Sequence, residues 1–396
     1  ETPGSLAGLF WGYSGEFTVG VVGLLYSLGG TGAQISAMGL IFHELLGVPF
    51  VLGACLSFGV LVVYSAFGGI RAVVTTDVIQ YAIITISIPL VAYLSIKYAG
   101  GLETMLRAVP ADHLTLAPMC EQPLRYIPIL VSFLLFLLDP VWIQRLLMGK
   151  NTKQLKKSFC LSTLVTSAVF VCAAIVGLSA LTLAPHISSS SAMPHMIQTL
   201  VPVGLRGLII AGLLAAIMST ADSNLSLSGI IAVGDLVRSY RGGITERQMI
   251  RYCRYATLIF GILALLIALR FKSIIDILLH FNGFWCGTVL VPLSVRLLGH
   301  KSSKYAFIRA AVTGGLVVIG WIFFDLEKRW GIYVFFPGML VNTVVFFGMN
   351  AYSKWRGIFA QEQEHMRILR QQAVEMMDSC EQMGMFTAND EESDEI

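Results

Sequence analysis

The feature that most constrains this chain is a series of ten apolar stretches. A bilayer core about 30 Å thick requires roughly 17–25 helical residues to cross it. Runs of this length satisfy their backbone polar groups in lipid only as helices, because barrel strands are shorter and alternate apolar with polar residues. The sequence therefore predicts an all-α, polytopic membrane helix bundle within residues 1–351. The stretches cover residues 17–40, 48–65, 78–98, 127–147, 159–183, 205–236, 255–269, 274–297, 306–324 and 332–349, of which 255–269 is short.

The composition agrees with a protein whose surface faces a lipid bilayer. The chain is 56% hydrophobic and only 13% charged, whereas soluble domains carry about 25% charged residues. A net charge of +3 is too small to indicate a nucleic-acid partner. The sequence contains no nucleotide-binding loop, HExxH or GxSxG motif, so nothing in it indicates an enzyme.

Basic residues set the predicted orientation in the membrane. They are concentrated after the fourth, sixth and eighth stretches, whereas residues 185–204 contain no Lys or Arg. Alternating helices place the three basic connections on one side, which the positive-inside rule assigns to the cytoplasm of a plasma or bacterial inner membrane. The tail, residues 352–396, falls on the same side. We predict a charged helix there at 361–377 and an acidic, solvated end at 389–396.

The sixth stretch contains an unusual run of polar residues. Ser219, Asp222 and Ser223 have the spacing i, i+3 and i+4 that places them on one helical face, and Thr220 and Asn224 flank them. Short oxygen-bearing side chains with a carboxylate are ligands that a hard cation such as sodium prefers. The alternative is that the hydroxyls serve helix packing and Asp222 lies near the cytoplasmic mouth. Spacing alone does not decide between these interpretations.

Two further carboxylates interrupt apolar stretches. Asp77 stands at the start of the third stretch, where a helix N-cap is the favoured interpretation and ion binding is compatible with it. Asp139 precedes Pro140, which removes a backbone hydrogen bond and kinks or unwinds a helix. Broken helices form solute sites in transporters, although a simple kink with Asp139 paired to a neighbour fits equally well.

Two tryptophans are weaker candidates for lining a solute site. Trp142 follows the break at Asp139, and together they would suit a cationic amine. Trp285 lies in the eighth stretch, which glycines and a proline loosen. For an aromatic residue in a membrane helix, ordinary packing is the favoured alternative.

Three blocks of this sequence together resemble the sodium:solute symporter family, which includes glucose, proline, pantothenate, sialic acid and choline carriers. Residues 64–80 resemble the family pattern Y-x-x-x-G-G-x-x-A-V…T-D-x-x-Q, residues 142–150 resemble its Q-R block, and residues 215–223 resemble its A-A-x-M-S-T-A-D-S helix. The blocks occur in family order, and the resemblance covers about residues 4–349.

The resemblance implies a leucine-transporter-type fold, a five-plus-five inverted repeat. The first stretch would be the third core helix, so the chain is expected to lack the first two core helices, which contribute to the principal sodium site. The same resemblance implies a role for each candidate residue. The principal sodium site would include the Ala216 carbonyl, Ser219 and Thr220; a second sodium site would include Asp77, Ser219, Asp222 and Ser223; and Asp139 would lie near the solute.

The leading hypothesis is therefore sodium-coupled symport of a small organic solute across the lipid bilayer. One alternative is a sensor or partner-binding module built on a transporter fold, which the helical and acidic tail suggests. Another is an inactive shortened product, which the expected absence of two core helices suggests. The sequence does not identify the solute, for which a cationic amine, proline, pantothenate or a sugar each remains a candidate.

Overall fold

The computed structural model describes residues 2–123, 126, 130, 138–237, 245–271 and 273–357, without the side chains of 64, 66–73 and 118. Within these ranges the chain forms helices and turns and no strand. The helices, numbered in chain order, are α1 (Pro3–Trp11), α2 (Tyr13–Leu46), α3 (Phe50–Tyr98), α4 (Leu102–Ala108), α5 (Ala117–Glu121), α6 (Pro140–Leu147), α7 (Thr152–Leu183), α8 (Ala192–Leu200), α9 (Val203–Ile231), α10 (Glu246–Arg270), α11 (Ile274–Trp285), α12 (Val291–Leu297), α13 (Lys304–Phe323), α14 (Leu326–Trp330) and α15 (Phe335–Trp355).

Seven helical segments in the described part are long and apolar enough to cross a bilayer, which confirms the all-α membrane class. They coincide with seven of the ten predicted stretches. The stretch at 17–40 lies within α2, and the stretch at 48–65 lies in the first part of α3. Most of the stretch at 127–147, together with the predicted tail helix and acidic end, lies outside the described residues. The seven segments are Val74–Tyr98, Thr152–Leu183, Val203–Val237, Glu246–Arg270, Ile274–Leu297, Lys304–Phe323 and Phe335–Trp355.

The second and third stretches form one continuous helix, which differs from the predicted pair. α3 contains 49 residues, and Asp77 lies in its interior. The interpretation of Asp77 as a helix N-cap is therefore wrong. Gly68 and Gly69 weaken a helix by about 1 kcal/mol each relative to alanine, but they keep their backbone N–H groups. With no proline between the two stretches, nothing in the sequence forces the helix to end there.

α2 packs closely against α9 because it presents glycines to that helix. A Cβ atom added at Gly20 would lie 3.0 Å from the Cβ of Asp235, in the π-helical turn Ala232–Val237 that continues α9, and one added at Gly30 would lie 3.0 Å from the side chain of Asn224. These contacts show that the two helices run antiparallel. Small residues at such a crossing allow two backbones to approach closely. The glycine face of α2 therefore covers one side of the polar run in α9.

The span Ile274–Leu297 is irregular at its centre, where Cys286–Leu290 forms a π-helical turn between α11 and α12. Pro292 has no N–H, so the carbonyl of Thr288 lacks its usual i→i−4 donor. The side chain of Asn342, on α15, donates to that carbonyl at 2.9 Å. A side chain from a neighbouring helix thus replaces the missing backbone hydrogen bond. The Thr288 carbonyl therefore keeps a donor without contact with water.

Candidate functional site

The polar run of α9, residues 216–224, satisfies its own hydrogen-bond donors within the helix. Ser219 Oγ donates to the carbonyl of Ala216 at 3.0 Å, and Ser223 Oγ donates to the carbonyl of Ser219 at 2.8 Å. Asn224 Nδ2 donates to the carbonyl of Thr220 at 2.9 Å. A hydroxyl that donates its only hydrogen keeps two oxygen lone pairs as acceptors. The run therefore presents acceptor oxygens, which is the property that a sodium ligand requires.

Burial separates the residues of this run into two groups. Asp222, Ser223 and Asn224 are buried, with Asp222 fully inaccessible to solvent. Ser219 is half-buried and Thr220 is exposed. The structure therefore does not place all the predicted sodium ligands on a single buried surface. The first group faces the interior of the bundle, whereas Thr220 faces outward.

Arg145 links the polar run to Asp77 on α3. Its Nη2 atom donates to Asp77 Oδ2 at 2.8 Å and to Ser223 Oγ at 2.6 Å. The side chains of Arg145 and Asp77 are 40% and 18% exposed, respectively. Asp77 Oδ1 is buried and has no hydrogen-bond partner among the described residues. Asp77 and Ser223, two predicted members of the second sodium site, are therefore brought together by one guanidinium group from α6.

Asp139 lies at the start of α6 and caps it. Its backbone is extended, and its Oδ1 atom accepts a hydrogen bond from the backbone N–H of Trp142 at 2.8 Å. Tyr26, on α2, donates from its hydroxyl to Asp139 Oδ2 at 3.0 Å. Asp139 is only 5% exposed. Both oxygens of this buried carboxylate therefore have a donor, one from its own helix and one from α2.

Trp285 belongs to the same group of side chains as Asp139. Its indole Nε1 donates to the carbonyl of Leu138 at 3.0 Å, and its ring lies 6.2 Å from the ring of Tyr26. The ring of Trp142 instead packs against Phe159 of α7, with 5.7 Å between the centroids. Of the two weaker aromatic candidates, Trp285 therefore shares the surroundings of Asp139, whereas Trp142 contributes its backbone N–H.

Sequence reasoning missed the parts played by Tyr26 and Arg145. Tyr26 is a hydroxyl-bearing side chain in the middle of the apolar stretch at 17–40, and that mismatch is a usable signal. Arg145 belongs to the Q-R block at 142–150 and to the basic residues that follow the fourth stretch, and neither observation indicates its partner. Its contact with Asp77 spans 68 positions along the chain. No local pattern in the sequence predicts a contact between residues so far apart.

The fold and these two groups of side chains define a polytopic helical protein of the transporter class. The architecture is similar to a solved structure described as the substrate-bound outward-open state of a Na⁺-coupled sialic acid symporter. The TM-score is 0.72 and the sequence identity 16%, and the match covers 89% of this chain and 76% of that one.

The chain belongs to the sodium:solute symporter family, whose model matches residues 19–298. It is 24% identical to the osmoregulated proline transporter of Bacillus subtilis (strain 168), over 82% of this chain and 68% of that protein. It is 26% identical to a sodium/proline symporter of Staphylococcus aureus, over 82% of this chain and 66% of that protein. The chain thus spans about two thirds of the length of these relatives.

Proposed function

We propose that this chain carries out sodium-coupled symport of a small organic solute across a lipid bilayer. The observation that carries this proposal is the convergence of two polar groups on α6. Asp139 at its first turn meets Tyr26, and Arg145 meets Asp77 and Ser223. Arg145 follows Asp139 by six positions, which corresponds to about 9 Å along a helix. One short helix thus contacts both a candidate solute site, formed by Asp139, Tyr26 and Trp285 and called the solute group below, and a candidate ion site, formed by Asp77 and Ser223.

We further propose the leucine-transporter-type inverted repeat, with α2 as its third core helix. In that scheme Ala216, Ser219 and Thr220 form one half of the principal sodium site. The other half would come from the first core helix, which would pack over the outward-facing side of Thr220. The exposure of Thr220 and the half-burial of Ser219 support this arrangement. Asp77, Ser219, Asp222 and Ser223 would bind a second sodium ion.

Coupling in this scheme is a difference in binding free energy between two conformations. Sodium must favour the outward-open arrangement, in which the solute binds more tightly, and binding of either partner then promotes binding of the other. The ligands available are oxygens alone, which suits sodium as the coupling ion. With the cytoplasm on the side of the basic connections, sodium moving inward down its gradient would carry the solute inward.

The solute group favours a molecule with a positively charged amine. Asp139 supplies a buried carboxylate, and Tyr26 and Trp285 supply aromatic surface beside it. A carboxylate pairs with an ammonium group, and aromatic faces attract cations. Two of the relatives are named as proline transporters, and proline carries such an amine. L-Proline is therefore the first solute to test, followed by choline.

The proposal is tested by measuring solute uptake against sodium concentration in proteoliposomes that contain the intact protein, including the first core helix. We expect Ser219→Ala and Thr220→Ala each to raise the sodium concentration for half-maximal uptake by roughly tenfold, because each removes one ligand oxygen worth about 1.4 kcal/mol. Ser228→Ala is the matched control, since its hydroxyl also donates within α9, to the carbonyl of Asn224, but lies beyond the polar run. Unchanged sodium dependence in both test variants would contradict the assignment.

A further inference from the structure

The guanidinium of Arg145 occupies the acceptor atoms that a cation would use. Nη2 donates to Asp77 Oδ2 at 2.8 Å and to Ser223 Oγ at 2.6 Å. A hard cation sits roughly 2.3–2.6 Å from its oxygen ligands, so an ion on these two oxygens would lie at most about 5 Å from Nη2. Two positive charges this close repel strongly in a partly buried site. The guanidinium and an ion therefore compete for the same pair of oxygens.

We propose that Arg145 is a tethered cation that holds the Asp77–Ser223 site in the absence of sodium and leaves it when sodium binds. This inference rests on the proposed function, in which Asp77 and Ser223 belong to the second sodium site. It assigns Arg145 the role of setting the sodium affinity of that site. It also predicts that the site never presents an uncompensated carboxylate to the interior of the bundle.

The hydrogen bonds at the site are consistent with a ligand that exchanges. Ser223 Oγ gives its only hydrogen to the carbonyl of Ser219 and receives Arg145 on a lone pair. When Arg145 leaves, that lone pair is already oriented toward the site, so no hydroxyl rotation is needed. Asp77 Oδ1 is buried and accepts no hydrogen bond from the part of the chain that the structure describes, so a second carboxylate oxygen is placed to contact an incoming ion.

Arg145 also has a route out of the site. Its side chain is 40% exposed, more than twice the fraction for Asp77. A long, flexible side chain with access to solvent regains hydration when its ion pair breaks, so the cost of leaving is modest. A permanent structural pin would instead be expected to be fully buried.

Displacement of Arg145 has a consequence for the solute group. Arg145 and Asp139 are both on α6, and Asp139 caps that helix while accepting a hydrogen bond from Tyr26. Loss of the contacts to α3 and α9 frees the end of α6 that lies farther from Asp139. Sodium binding is thereby linked to the position of the carboxylate proposed to meet the solute.

The direction in which the half-saturating sodium concentration changes in Arg145→Gln distinguishes an Arg145 that competes with sodium from an Arg145 that only stabilises the fold. The assay is binding of ²²Na⁺ to the purified full chain in detergent, with wild type, Arg145→Gln and Lys150→Gln. A competitor predicts that Arg145→Gln lowers the half-saturating sodium concentration by roughly five- to tenfold. Lys150→Gln, which removes an exposed positive charge from the next connection, should leave it unchanged. An unchanged or higher value in Arg145→Gln would overturn the inference.

A second experiment uses the free guanidinium ion as a probe of the same site. In Arg145→Ala, millimolar guanidinium chloride should raise the half-saturating sodium concentration toward the wild-type value, whereas the same concentration of choline chloride should not. Failure of guanidinium to compete would overturn the inference. Arg145→Lys keeps the positive charge for the fold, and its compact ammonium lacks the forked geometry. Arg145→Lys should lower the half-saturating sodium concentration less than Arg145→Gln does. A rise in that concentration would contradict competition between Arg145 and sodium.

The two proposals fail in distinguishable ways. If wild type and every variant bind no sodium, the proposed function and this inference both fall. If wild type binds sodium and Ser219→Ala weakens that binding, but Arg145→Gln leaves it unchanged, the proposed function stands and only the role of Arg145 is overturned.

Discussion

At the scale of single residues, the hydrogen bond from Tyr26 to Asp139 helps to satisfy a buried carboxylate. A buried carboxylate without donors is strongly unfavourable, and each hydrogen bond to a charged group contributes about 1.5–3 kcal/mol. Asp139 has two such donors, the backbone N–H of Trp142 and the hydroxyl of Tyr26. In the proposed solute site, the hydroxyl is the donor that a solute would replace or supplement, because the backbone donor is fixed by the helix cap.

We expect Tyr26→Phe to raise the solute concentration for half-maximal uptake by roughly tenfold, equivalent to about 1.4 kcal/mol of lost positioning of the carboxylate. The sodium concentration for half-maximal uptake should change by less than about twofold, since the hydroxyl of Tyr26 donates to Asp139 and not to a residue of the polar run. Tyr13→Phe, at the exposed start of the same helix, is the control. A change confined to the sodium dependence would contradict the role given to Tyr26.

At the scale of secondary-structure elements, the apolar stretches predicted most of the long helices, because length and hydropathy alone determine whether a segment can cross a bilayer. The prediction of two helices at 48–65 and 78–98 was wrong, because the less apolar segment between them continues the same helix. The extended backbone at Asp139 follows from Pro140, because the proline ring clashes sterically with an α conformation at the preceding residue, which is a strictly local effect.

The close approach of α2 to α11 at Gly29 gives a prediction at this scale. A Cβ atom added at Gly29 would lie 2.1 Å from the Cβ of Phe281, so Gly29→Ala forces α2 away from α11. We expect a loss of about 1–3 kcal/mol in the free energy of unfolding, the usual cost of overpacking. It would be measured by thermal unfolding in detergent. Gly177→Ala on α7 is the matched control, because nothing lies within 4 Å of its added Cβ. Equal stability of the two variants would show that this face tolerates wider spacing.

At the scale of the whole molecule, the sequence singled out polar residues within apolar stretches, but it did not predict which of them are in contact. The polar run of α9, Asp77 and Asp139 were identified by their conflict with an apolar environment, which is a local property. The contacts of Arg145 with Asp77 and of Tyr26 with Asp139 span 68 and 113 positions. Such pairings depend on how the helices pack, and packing at glycine-rich crossings carries little signal in one sequence.

In the proposed scheme, α6 connects the sodium site with the solute site. Its first turn carries Asp139, and its last turn carries Arg145, which reaches α3 and α9. A short helix held at both ends by polar contacts shifts when either contact changes. Because the coupling is a property of equilibrium binding, sodium should increase solute affinity and solute should increase sodium affinity by the same factor.

The central claim is that sodium binds between the polar run of α9 and Asp77. The most direct test compares the thermal unfolding midpoint of the purified chain in sodium chloride with that in potassium chloride at the same ionic strength. A ligand at 100 times its dissociation constant stabilises the folded state by about 2.7 kcal/mol. We predict that sodium raises the midpoint of wild type and not that of the double variant Asp77→Asn, Ser219→Ala. A sodium-specific increase that persists undiminished in the double variant would contradict the account.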